Sequence, residues 1–132
     1  MAAPTRVLLL GGHGKISQLL TPLILSRNWQ LTSVIRDPTQ KPAITKLAPP
    51  NTSQNLDVLV SSVEEVKTQA QASSLITSTK PNYVVWSAGA GGKGGPERTK
   101  AVDEVACIAF IEAAAEASSG VSKFLLVSYL GA

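Results

Sequence analysis

The apolar run Val7-Leu8-Leu9-Leu10 stops on Gly11-Gly12-His13-Gly14-Lys15-Ile16-Ser17, and a helical pattern begins at once. A short continuous apolar run suits a strand covered on both faces. The glycines turn the chain, and residues 14–27 then place Ile16, Leu19, Leu20, Leu23 and Ile24 at three- and four-residue spacing, the period of a core-facing helical stripe. Pro22 lies inside that stripe and should kink the helix or cost it one backbone bond. A strand, a glycine turn and a helix in this order confine the chain to a small set of layered α/β architectures.

The alternation continues. Leu31–Arg36 reads as a second strand, broken by Asp37-Pro38, and residues 39–48 as a short, weak helix. Leu56–Val60 is a third strand. Ser62-Val63-Glu64-Glu65 fits a capping box opening a helix that Lys80-Pro81-Asn82 stops after Thr79. Tyr83–Trp86 is a fourth strand, residues 88–96 a loop with five glycines, and Thr99–Ser118 a long helix with Gly120 as its stop. Phe124–Val127 is a fifth strand. Strict alternation of five strands and four helices predicts a parallel sheet with right-handed crossovers. At 132 residues, 44% hydrophobic and 16% charged, the chain is read as one packed domain, 1–132. No apolar run approaches the ~20 residues of a membrane helix. A single cysteine, Cys107 in an apolar helix, suits a reducing, cytoplasmic setting.

Charge is uneven. Residues 1–46 hold six basic side chains (Arg6, Lys15, Arg27, Arg36, Lys41, Lys46) against Asp37 alone, whereas residues 47–132 hold six basic and eight acidic. The basic third suits a phosphorylated ligand and is too poor in aromatics for nucleic acid. The glycine turn explains where such a ligand would sit. Free amides at a helix N-terminus face an anion, and the helix dipole favours negative charge. On this reading the amides of Gly12, His13, Gly14, Lys15 and Ile16 face a pyrophosphate. Gly11 makes the turn, Gly14 admits the ligand, and Ser17 fills the third small position, where helix and strand pack closely. The last glycine of G-x-x-G-x-x-G is here a serine.

Arg36 ends the second strand, where the adenosine ribose of a dinucleotide would lie. An acid there accepts from a 2′-hydroxyl; an arginine pairs with a 2′-phosphate. NADP is therefore expected, with Lys15 and Lys41 adding charge, while Asp37 one residue on keeps NAD open. Ala88, Gly89 and Ala90 follow the fourth strand, beside the first at the reversal of strand order, and let the nicotinamide half pack on backbone. The lysine of this loop, Lys93, precedes Gly94 rather than Ser or Thr, so it is not a P-loop. Ser128 and Tyr129 end the fifth strand on the same edge, where a hydroxyl could polarise a carbonyl or simply bond to backbone. His13 has no clustered Cys, Asp or Glu, and no metal site is expected.

Four segments, Gly-Gly-His-Gly-Lys-Ile (11–16), Val-Ile-Arg-Asp-Pro (34–38), Trp-Ser-Ala-Gly-Ala-Gly (86–91) with Gly-Pro-Glu-Arg-Thr (95–99), and Lys-Phe-Leu-Leu-Val-Ser (123–128), resemble the atypical short-chain dehydrogenase/reductases. That NAD(P)-binding group includes flavin and biliverdin reductase-like and sugar-epimerase-like proteins. The resemblance implies a Rossmann-like doubly wound sheet of order 3-2-1-4-5, pyrophosphate held by Gly11–Ile16, 2′-phosphate selection by Arg36, and hydride transfer as the reaction. Where the family often has an Asp near the adenine, this chain has Ser62, leaving that contact to its hydroxyl and the Val63 backbone. The family's catalytic hydroxyl position falls on Tyr129, so no catalytic residue is assigned. Its Tyr-x-x-x-Lys pair is absent: neither Tyr83 nor Tyr129 has a lysine four residues on.

The family also continues for roughly another hundred residues. The chain thus resembles the first half of such a protein, truncated before a sixth strand. A non-catalytic NAD(P) sensor is the alternative function. Counting layers gives a last expectation. The first two helices cover one face of the sheet and the second two the other. The first face of strands four and five is therefore left bare, and the chain should self-associate, aggregate or require further chain there.

Overall fold

The computed structural model describes residues 5–61, 66–87, 105–116 and 119–127. It contains five strands and four α-helices among these residues: β1 (Arg6–Leu10), α1 (Lys15–Ser26), β2 (Gln30–Ile35), α2 (Lys41–Thr45), β3 (Leu56–Val60), α3 (Gln69–Thr79), β4 (Tyr83–Trp86), α4 (Cys107–Ala115) and β5 (Lys123–Leu126). All neighbouring strands pair in parallel, in the order β3-β2-β1-β4-β5. This is the expected doubly wound, Rossmann-like sheet.

The centre of the sheet follows from its most apolar strand. Val7, Leu8, Leu9 and Leu10 are all buried, because β1 has a strand on each side and helices above and below. Leu8 and Leu10 face a core shared with Val84, Trp86, Ala72 and Ile76 of α3, and Phe110 and Ala113 of α4. Val7 and Leu9 face the opposite core, with Ile24 and Leu25 of α1, Leu31 and Val85. Strand alternation thus sorts one apolar run into two cores.

The glycine turn leads into α1 as expected, but the stripe that α1 buries is different. Ser17, Thr21, Ile24 and Leu25 face the sheet, whereas Ile16, Leu19 and Leu23 are 45%, 70% and 62% exposed. Small side chains at 17 and 21 let the helix approach the sheet closely, and this rotates the larger leucines onto its flank. Thr21 offsets its burial by donating its hydroxyl to the Ser17 carbonyl at 2.8 Å. Pro22 is accommodated within α1, and Asn28, at φ 61°, turns the chain out of it.

The start of α3 also differs. Its N-cap is Thr68, whose hydroxyl accepts from the Gln71 amide at 3.2 Å while Gln71 Oε1 accepts from the Thr68 amide at 3.2 Å. The proposed box at Ser62–Glu65 lies outside the described residues, and residues 66–67 are not helical, so no single helix runs from 63 to 79. Thr68→Ala removes this reciprocal pair and should lower stability by about 1 kcal/mol. Urea denaturation, with an unchanged slope and an earlier midpoint, checks it. The helix ends where expected, on Lys80 in the left-handed region before Pro81.

Residues 105–106 enter α4 with π-helical geometry, and α4 ends at Ala115. Gly120, at φ 76°, is therefore not its stop; it turns the chain towards β5. Strands β2 and β5 each begin and end one residue earlier than the sequence suggests. Exposure at β5 does not single out the face expected to be bare. Val85 is buried against α1 and Val127 packs on the same core, while β5 is open on both faces, Leu125 at 52% and Leu126, on the other, at 59%.

Candidate cofactor site

The carboxyl ends of β1, β2 and β4 converge on the glycine turn. Gly11 takes φ 85°, a left-handed conformation that side chains other than glycine's strongly disfavour. Its amide and that of Gly12 both donate to the Val34 carbonyl of β2, at 3.2 and 2.8 Å. Gly14 closes the turn by donating to the Gly11 carbonyl at 3.1 Å. These bonds correct one expectation: the Gly12 and Gly14 amides hold the turn together rather than face outward.

The donors that remain belong to the first turn of α1. Gly14 is the N-cap, with no side-chain cap bond, so the amides of Lys15, Ile16 and Ser17 have no partner within the helix. They are three consecutive donors at the positive end of a helix dipole. Gly14 and Lys15 are exposed, as is His13, whose carbonyl accepts from Gln18 Nε2 at 2.6 Å.

Gly12 is required by crowding. A Cβ on Gly12 would lie 1.8 Å from Ser33 Oγ and 3.2 Å from Ser33 Cβ, inside the packed layer between turn and β2. At Gly14 a Cβ would be tolerated: its nearest neighbours would be the Gly11 carbonyl at 3.4 Å and Ser17 Oγ and the Ser87 carbonyl at 3.8 Å, ordinary contact distances. Ser87 continues β4, its amide bonded to the Leu10 carbonyl at 2.9 Å. The exposed Gly14 therefore lies between the α1 N-terminus and the end of β4, the point at which strand order reverses. Ser17 is fully buried beneath it, as the third small position requires, and its Oγ has no hydrogen-bond partner. An exposed Gly14, helix amides without a partner inside α1 and an orphan hydroxyl fit a pyrophosphate.

At the end of β2 the two candidate readers have separate roles. Asp37 Oδ1 accepts from the Thr39 amide at 2.9 Å and the Thr39 hydroxyl at 2.8 Å, capping a 3₁₀ turn at Pro38–Gln40. These bonds hold its carboxyl below the ordinary carboxylate range, with the Arg36 charge a smaller contribution. Arg36 and Lys41 are both exposed, on either side of that turn. Ser62 and Val63, Ala88, Gly89 and Ala90, and Ser128 and Tyr129 lie outside the described residues. Cys107 is buried in α4, away from the site. No group of three or more metal-ligating side chains occurs among the described residues.

A family profile described as NAD(P)H-binding matches residues 11–132, from the first glycine of the turn onward. The chain belongs to this NAD(P)H-binding family. A relative from Schizosaccharomyces pombe, UPF0659 protein C216.03, is 33% identical over 118 residues, spanning 89% of this chain and 44% of its own. The structure is similar to an NAD-dependent epimerase/dehydratase assigned in Bacillus halodurans (TM-score 0.73, 24% identity, 96% of this chain and 52% of that one). It is equally similar to the Bordetella bronchiseptica enzyme WbmG, solved in complex with NAD (TM-score 0.73, 24% identity, 95% and 37%). At these identities the structural likeness speaks to the fold. The chain spans about half or less of the length of these relatives. Family membership agrees with the short-chain dehydrogenase/reductase resemblance and gives the cofactor class as a nicotinamide dinucleotide. No helix among the described residues is long and apolar enough to cross a membrane.

Proposed function

We propose that the chain is the cofactor-binding part of an NADP(H)-dependent oxidoreductase of the atypical short-chain type, working in the cytoplasm. One observation carries the choice of NADP over NAD. The acid at the end of β2, Asp37, has its Oδ1 engaged by Thr39, while Arg36 is exposed at the same strand end. A carboxylate there accepts from a ribose 2′-hydroxyl and a cation pairs with a 2′-phosphate; with one Asp37 oxygen held in the turn, Arg36 is the uncommitted charge at the strand end. Asp37 then serves to fix the turn between Arg36 and Lys41, so that two cations flank one position.

In this reading the amides of Lys15, Ile16 and Ser17 bind the pyrophosphate, Gly11, Gly12 and Gly14 shape the turn, and His13 lines its edge. Ser62 and Val63 would meet the adenine, and Ala88, Gly89 and Ala90 the nicotinamide half. When bound, the nicotinamide supplies or accepts a hydride, and the protein's part is to hold and orient it.

Arg36→Ala tests the assignment. Loss of a charge-assisted bond should weaken NADPH roughly ten- to a hundredfold and leave NADH nearly unchanged. Calorimetric titration with each cofactor measures both. Equal loss for the two would mean that Arg36 contacts a shared group and would overturn the NADP reading.

A further inference from the structure

The turn that presents Arg36 also presents a hydroxyl. Arg36, Asp37, Pro38, Thr39 and Lys41 are all exposed, and Gln40 is partly buried. Thr39, Gln40 and Lys41 donate their amides to Asp37 and Pro38, so these bonds hold the turn from within itself. A surface segment of this kind opens locally at small cost, because few buried contacts are lost. Thr39 Oγ1 donates to Asp37 Oδ1 at 2.8 Å, and freeing it costs one exposed hydrogen bond that water replaces.

The neighbouring charges set this hydroxyl apart. The chain has four arginines, and three residues beyond Arg6, Arg27, Arg36 and Arg98 stand Leu9, Gln30, Thr39 and Ala101. Thr39 is the one hydroxyl at that spacing, and Lys41 follows it by two residues. Protein kinases discriminate among substrates by such charge patterns around the acceptor. The Arg36 charge also acts on the Asp37 carboxyl, the group that Thr39 touches.

A phosphate on Thr39 Oγ1 would carry a charge of about −1.5 to −2. Asp37 would lose its hydroxyl donor and face a dianion instead, which releases that bond. Arg36 offers the phosphate a planar bidentate partner and Lys41 a point charge. Tethered in the same turn, the phosphate competes for both at high effective concentration. It becomes an internal copy of a ribose 2′-phosphate.

We propose that Thr39 is a phosphorylation site for a protein kinase that reads Arg36, and that its phosphate takes Arg36 and Lys41 from the 2′-phosphate of NADP(H). The inference rests on the assignment of those two cations to the 2′-phosphate. The donor is ATP. The bond from Thr39 Oγ1 to the terminal phosphorus forms, the bond from that phosphorus to ADP breaks, and the hydroxyl proton passes to the kinase's base. Linkage requires the converse as well: bound NADPH occupies Arg36 and shields Thr39 from the kinase.

The chain is incubated with ATP and a kinase selective for arginine three residues before the acceptor, and the phosphate is located by mass spectrometry. Thr39 should take up phosphate, and Thr39→Val should remove that labelling. Saturating NADPH should slow labelling at least about fivefold, and saturating NADH should not. In calorimetric titration the phosphorylated chain should bind NADPH at least about tenfold more weakly and NADH within about twofold of the unmodified chain. Retained NADH binding also shows that the phosphorylated chain is folded. No labelling at Thr39, unchanged NADPH affinity, or equal weakening of both cofactors would each overturn the proposal. The unmodified chain separates this outcome from failure of its premise. A preference for NADPH that survives phosphorylation refutes the site alone, whereas no preference before phosphorylation refutes the NADP reading and the site together.

Discussion

Gly14→Asp should leave the protein folded, and slightly more stable, while weakening NADPH by at least about a hundredfold. The two effects have separate causes. Gly14 is the N-cap of α1 and provides no side-chain cap bond. Aspartate is among the best N-cap residues, and its gain over glycine is a few tenths of a kcal/mol. The same side chain would start in contact with the Gly11 and Ser87 carbonyls, at the exposed N-terminus of α1. There it would occupy the pyrophosphate position with a like charge and would take the helix amides for itself. Thermal unfolding and NADPH titration on one sample separate the two. A variant that binds NADPH normally would remove the cofactor from this position; one that loses binding only because it unfolds would refute the capping argument.

At Gly12 the largest effect should fall on the fold itself. Gly12→Ala forces a Cβ to 1.8 Å from Ser33 Oγ, with Ser33 Cβ and Ile35 behind it at 3.2 and 3.4 Å. Overpacking of this kind costs about 1–3 kcal/mol. The Ser33 hydroxyl is buried without a hydrogen-bond partner, so Ser33→Ala alone should be neutral or mildly stabilising. The double variant should therefore recover most of the loss. Denaturant midpoints of the four proteins give the coupling directly. Additive effects would mean that Gly12 is needed for something other than room beside Ser33.

Much of this architecture is legible in the sequence because its strands are bounded by residues that cannot continue them. Leu10 meets Gly11, Ile35 is three residues from Pro38, and Tyr83 follows Pro81-Asn82. These boundaries fix strand positions to within one residue, and alternation with helices fixes the parallel order. The rotation of α1 was not legible. Periodicity identifies a stripe of leucines, but Ser17 and Thr21 are buried because a small residue brings helix and sheet together, and that preference depends on a partner surface. The start of α3 was placed too early, at Ser62-x-x-Glu65; the cap in the structure is Thr68 with Gln71, a Thr-x-x-Gln box that the sequence reading missed. In the site, glycine spacing locates the turn but not which amides it consumes. That depends on the Val34 carbonyl, which belongs to another strand.

That carbonyl has a consequence for recognition. Val34 accepts from both Gly11 and Gly12, and it stands two residues before Arg36 on the same strand. The turn assigned above to the pyrophosphate and the strand end assigned to the ribose would thereby be one preorganised unit, assembled when the sheet forms. A ligand arriving at the first contact finds the second already at its proper distance. Little loop entropy is then left to lose on association. Discrimination between dinucleotides would act as a ruler, reading phosphate spacing along a rigid frame.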